Sequence, residues 1–159
     1  MKRKGIIWII VIAMLAIPAV LVLRNFGLPF MVLVADIMNA PTKQEIVDLV
    51  NENYTVILDD IKNNNFDNTE KLERIESISQ EENYIDFYCG GAGIGSATSY
   101  YGFYYSENDS IYDMQNINYP AGAELKPDGS GYSWNEMDGD NRFYVEKIMD
   151  NFYYYELHF

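Results

Sequence analysis

The sequence is poor in the residues from which most enzyme chemistry is built. It contains one cysteine, Cys89, and one histidine, His158. A lone thiol allows no intramolecular disulfide and no two-cysteine zinc or redox site, so burial as a small hydrophobe is its default role. Nucleophilic catalysis needs a base beside the nucleophile, and Ser96, Ser99, Ser106, Ser133 and Cys89 have only that histidine to pair with. As the penultimate residue it is expected to fray. Cations are scarce as well: eleven Lys and Arg stand against twenty-four Asp and Glu. Lys2, Arg3, Lys4 and Arg24 fall within residues 1–35, which hold no acid. The remainder therefore sets seven cations against twenty-four acids, a formal charge of −17. Such a field repels nucleic acid and anionic lipid, attracts cations or basic partners, and also serves plain solubility. Internal repeats and low-complexity tracts are absent.

What the chain does have is an uncharged stretch from Gly5 to Leu23. A helix of that length reaches roughly 28 Å, close to the hydrocarbon thickness of a bilayer. Lys2, Arg3 and Lys4 precede it, and cations flanking a first apolar span stay on the cytoplasmic side. Residues 5–23 are thus expected to cross a cell membrane once, N-terminus cytoplasmic and C-terminal domain extracellular. Pro18 would kink that helix without preventing it. A cleaved signal peptide shares the basic start, but this run is longer than a signal core. Neither Leu33-Val34-Ala35 nor Met38-Asn39-Ala40 forms a good cleavage site, so retention is the expectation. Residues 26–35 turn apolar again and are too few to span; they either extend a tilted first helix or lie along the interface. Two parts result: an anchor with its juxtamembrane segment at 1–35, and one acidic extracytoplasmic domain at 36–159.

Within that domain, Thr42-Lys43-Gln44-Glu45 has the form of a capping box. Ile46, Leu49, Val50, Tyr54, Ile57, Leu58 and Ile61 follow at spacings of three and four, which predicts a helix with one apolar face, ended by Asn63, Asn64 and Asn65. A helical turn and then a strand are expected around Leu72 to Ser79. Tyr84–Cys89, Tyr100–Ser106, Gly131–Glu136, Arg142–Ile148 and Phe152–His158 are rich in aromatic and β-branched residues and read as strands. Asp138-Gly139 and Asp150-Asn151 supply hairpin turns. Gly90 to Ser99 reads as a glycine-rich loop, and 107–130 as a long loop punctuated by Pro120, Gly122 and Pro127. The fold class is α+β: one amphipathic helix packed on an antiparallel sheet of five to six strands, behind a transmembrane helix.

Three constellations invite chemistry. Gly90 and Gly95 have the spacing of a phosphate loop, but Ser96 and Ala97 stand where Lys and Ser or Thr are needed. Gly91-Ala92-Gly93-Ile94-Gly95-Ser96 lacks the third glycine of a dinucleotide fingerprint, which leaves at most a small anion nest. Glu136, Asp138 and Asp140 alternate as calcium ligands do, yet Asn141 and Lys147 occupy the positions where an EF-hand requires Gly and Glu. Carboxylate pairs such as Asp86 with Glu107, or Asp138 with Asp140, suit glycosidic chemistry, but so many acids guarantee chance pairs. No cofactor and no metal are called for.

Aromatic density is the stronger signal: fourteen Tyr and eight Phe. Strand alternation sends Tyr101, Phe103 and Tyr105 to the helix side and Tyr100 and Tyr104 to the other, and splits Phe152 and Tyr154 from Tyr153 and Tyr155. Both sheet faces are then aromatic. One is core; the other is either packed by residues 107–130 or presents amphipathic rings to a protein or glycan at the cell envelope. Tyr100, Tyr104 and Trp134, with Gly91, Gly93 and Gly95 of the glycine run, are the candidate binding residues.

The segments Asp86-Phe87-Tyr88-Cys89-Gly90-Gly91, Tyr100 to Ser106 and Phe152 to Phe159 resemble those of uncharacterised small membrane-anchored proteins of Gram-positive bacteria. That resemblance implies a tethered envelope domain and assigns no residue a role. The leading functional expectation is a non-catalytic, membrane-tethered binding module. A pilin-like assembly subunit and a cell-envelope hydrolase are the alternatives. Against the first, Ile10 stands where a pilin's helix carries its glutamate if cleavage follows Gly5; the second requires a pocket with two convergent polar side chains.

Overall fold

The computed structural model of the chain describes residues 39–94, 97–114 and 123–159. The capping box forms as its residues dictate: Thr42 Oγ1 accepts from the Glu45 amide at 3.3 Å, and Glu45 Oε2 accepts from the Thr42 amide at 2.8 Å. Helix α1 then runs Lys43–Asn63. Asn64 closes it in the left-handed conformation, φ 50°, and its amide returns to the Asp60 and Ile61 carbonyls. Ile46, Val50 and Ile57 are completely buried, each contributing roughly 1.5–3 kcal/mol of transfer free energy.

Seven antiparallel strands come after a single 3-10 turn at Thr69–Lys71: β1 Ser77–Gln80, β2 Tyr84–Ile94, β3 Ala97–Ser106, β4 Lys126–Asp128, β5 Gly131–Asn135, β6 Arg142–Met149 and β7 Phe152–His158. They form one sheet in the order β1-β2-β3-β7-β6-β5-β4. The α+β class and the helix-on-sheet arrangement stand as expected from the sequence. The strand count of five to six does not. β4 escapes prediction because Lys126-Pro127-Asp128 has no apolar alternation and pairs only at the sheet's edge, where Pro is tolerated.

The glycine run also differs from the expected loop. Gly90 to Ile94 and Ala97 to Ser99 extend β2 and β3 into one long hairpin, with a bulge between Tyr88 and Gly90. A Cβ on Gly91 would stand 2.5 Å from the Ser99 carbonyl oxygen, and one on Gly93, at φ 136°, 2.0 Å from that of Ala97. These two glycines let backbones approach where no side chain fits.

Two apolar layers sandwich the sheet. Phe87, Cys89, Phe103, Phe152 and Tyr154 meet α1, with Tyr101 and Tyr105 at the margin. Tyr104, Phe143, Val145, Tyr153, Tyr155 and Leu157 face the opposite way and are packed by Ile111, Met114, Ala123 and Leu125. The second cover is pinned by Asp109, whose carboxylate accepts from Lys147 Nζ at 2.6 Å, from the Asn151 amide at 2.8 Å and from the Tyr153 hydroxyl at 2.8 Å. Among the described residues no helix is long and apolar enough to cross a membrane. Residues 5–23, on which the anchor expectation falls, lie outside them.

Asp60 is the buried polar link between α1 and the 3-10 turn beyond it. Its carboxylate accepts from the Asn68 amide and side chain and from the Thr69 amide and hydroxyl, at 2.8–3.1 Å. Burial raises its pKa, and the four bonds outweigh that and leave it below the ordinary aspartate value. A depressed folded-state pKa means the carboxylate's stabilisation is present at neutral pH and is lost as pH falls through that depressed value. Asp60→Ala leaves the buried Thr69 donors unsatisfied and should cost about 2–3 kcal/mol in urea unfolding, against under about 0.5 kcal/mol for the exposed neighbour Asp59→Ala.

Candidate functional site

Among the described residues, a groove of about 530 Å³ opens beside Met114 on the second face of the sheet, across β1, β2, β3 and β7. That volume lies within the range of ligand sites. Strand alternation builds it: Tyr84, Asp86 and Tyr88 stand on the outer side of β2, Tyr100 on that of β3, and Tyr155 and Leu157 on that of β7. Tyr88 lies 6.1 Å from Tyr100 between ring centroids, and Tyr100 5.4 Å from Phe159, so three rings make a continuous wall. Tyr84, held edge-on by Tyr104 at 6.0 Å, stands apart from them.

Gly102 makes the floor possible. A Cβ there would sit 2.6 Å from the Tyr155 hydroxyl, so only glycine allows the Tyr155 ring to cross β3 toward β2. There it meets Asp86, the one acid in the groove's floor. Asp86 Oδ1 is shielded from solvent and has no hydrogen-bond partner among the described residues. Such an orphan costs roughly 1–3 kcal/mol, more when charged. Burial lifts the Asp86 pKa to about 6, with Glu81 adding to the rise and the Tyr155 hydroxyl and Phe87 amide opposing it. Among the described residues the lining holds two carboxylates, Asp86 and Glu81, and no Lys, Arg or His.

The candidate binding residues are dispersed. Tyr100 lines the groove. Tyr104 is fully buried, stacked on Tyr153 at 5.1 Å and edge-on to Tyr84, so its ring is part of the second layer's packing and not of the exposed wall. Gly91 and Gly93 serve the hairpin; Gly95 lies outside the described residues. Trp134, on β5, packs at the margin of the second layer beside a separate hollow with Glu124 and Met137. Sequence reasoning does not bring Asp86, Gly102 and Tyr155 together. The available signal is the acid in Tyr84-Ile85-Asp86-Phe87-Tyr88, which alternation places on the same face as the tyrosines.

His158 is held rather than frayed. Its Nδ1 lies 2.7 Å from Ser99 Oγ, and its Nε2 lies 3.7 Å from Glu156. That is the order of a nucleophile, base and acid, but neither Ser99 nor His158 lines the groove, and the adjacent Thr98 amide already donates to the Phe159 carbonyl. Burial pushes the Cys89 thiol up to about 12, which keeps it protonated and unreactive. Among the described residues no group of three or more His, Cys, Asp or Glu could hold a metal ion.

No protein-family model, curated protein or solved structure matches this chain. The site has to be read from its own chemistry.

A raised acid pKa signals a carboxylate that disfavours folding once ionised. Because the folded value exceeds the unfolded one, the favourable contribution is complete below the unfolded pKa of about 4 and is lost as pH rises through about 6. Asp86→Asn should therefore be more stable than the parent by roughly 2–3 kcal/mol at pH 8, with the gap closing toward pH 4, in urea titrations of the full chain. A gap independent of pH would contradict the assignment.

Proposed function

We propose that the chain is a non-catalytic module tethered by residues 5–23 and displayed outside the cytoplasm, where it binds an envelope partner, protein or glycan, through the Asp86 groove. The tether and its orientation rest on the uncharged run behind Lys2, Arg3 and Lys4. The resemblance to small membrane-anchored proteins of Gram-positive bacteria agrees with that placement. The binding role rests chiefly on one observation: among the described residues, a groove lies on the second face where Tyr88, Tyr100 and Phe159 converge with a half-buried carboxyl. Tyrosine gives large contact area with few rotatable bonds, which is why it recurs in recognition surfaces.

Two arms test this reading in intact cells. Protease added outside should remove the domain from residue 36 onward while leaving cytoplasmic markers whole. A photoreactive phenylalanine at Tyr100 should yield a discrete crosslinked adduct, and the same group at Val56, exposed on α1, should not. A protected domain would refute the topology; equal adducts at both positions would refute the groove.

A further inference from the structure

The segment that enters the domain ahead of α1 is held by residues distant in the chain. Pro41 is buried where β2 bulges: a Cβ on Gly90, at φ 126°, would stand 3.3 Å from Pro41 Cδ and 3.0 Å from Glu76 Oε1. Arg74 Nη1 donates to the Asn39 carbonyl at 2.9 Å, and its Nη2 donates to Glu45 Oε1 at 3.1 Å. Glu45 divides its oxygens. Oε2 accepts from the Thr42 amide and hydroxyl of the capping box, at 2.8 and 3.0 Å, which leaves Oε1 for Arg74. One guanidinium thus joins the entering chain to the first turn of α1, a use that suits arginine's planar fork better than the compact ammonium of lysine. Arg74 itself stands at φ 76°, in the left-handed region where a residue with a Cβ costs free energy and glycine does not. An exposed ion pair stabilises little, so the value of Arg74 lies in where it ties the chain and not in net stability.

We propose that Arg74 is a strap that holds residues 39–42 against the start of α1, so that the chain enters the domain through a fixed joint and not a free swivel. The strap is built from described residues alone and is independent of the groove reading above. A joint of this kind removes rotational freedom before any partner arrives, which lowers the entropy that a binding domain has to lose on docking.

The test places a nitroxide label at Asn39→Cys in the full chain, in detergent solution, and reads its mobility by electron paramagnetic resonance. Arg74 holds the backbone carbonyl of residue 39, so the substitution spares that contact, and the buried Cys89 stays unlabelled. The parent should give a restricted spectrum. Arg74→Gly and Arg74→Asn both accept the left-handed backbone, but their side chains cannot reach Asn39 and Glu45 together. Each should raise the mobile fraction of the label at least threefold. A second label at Lys62→Cys, at the far end of α1, should keep the parent's spectrum in both variants. An Asn39 label as restricted in both variants as in the parent would overturn the proposal, as would a label already mobile in the parent. Loss of the parent's Lys62 spectrum would overturn it too, because a residue whose removal unfolds the helix is not a strap.

Discussion

A β-sheet with aromatic side chains on both faces cannot be left in water on either. Each buried Tyr or Phe removes some 150–250 Å² from solvent, on the order of 4 kcal/mol or more, so β3 and β7 at the sheet's centre demand two covers. Helix α1 supplies one, through Ile46, Val50 and Ile57 against Phe87, Phe103 and Phe152. The segment leaving β3 supplies the other, and Asp109 anchors it by tying Lys147, Asn151 and Tyr153 together. The groove lies on the second face beside Met114, among the described residues, and its walls follow from the period of two in β2, β3 and β7.

Asp86 gives the groove its distinctive chemistry. On a strand whose neighbours on the same face are Tyr84 and Tyr88, an acid is the residue least suited to packing, and its environment holds its carboxyl well above the usual carboxylate range. Gly102 and Tyr155 compound the effect by bringing a ring and a hydroxyl over β3, which shields the carboxyl without satisfying both oxygens. Asp60 behaves in the opposite way. There a buried aspartate receives four hydrogen bonds and settles below its ordinary pKa. The described residues thus include two shielded aspartates in opposite electrostatic states, Asp60 held down by its hydrogen bonds and Asp86 pushed up by burial.

Much of the scaffold is legible in the sequence because it depends on local rules. The Thr42 to Glu45 box, the three-and-four spacing to Ile61, the Asn64 cap and the alternation in Tyr100–Ser106 each specify their element without tertiary help. Gly90 to Ser99 reads wrongly as a loop because glycine usually marks a turn, whereas here Gly91 and Gly93 allow close approach inside a hairpin, a property set by the facing carbonyls of Ser99 and Ala97. Tyr104 misleads for a similar reason. Alternation gives its face correctly but cannot say that Met114 and Leu125 will pack over that face. The site is hidden more deeply, since Asp86 acquires its character only when Tyr155, more than sixty residues later, lies across Gly102.

Everything proposed for the groove depends on Asp86 being held among aromatic rings that disfavour its charge. NMR titration of its side-chain carboxyl carbon, in the full-length protein without ligand, reads that property at the atom concerned. The midpoint should fall near 6. A midpoint of about 4 or below, the range of an ordinary solvated or well-paired aspartate, would contradict it.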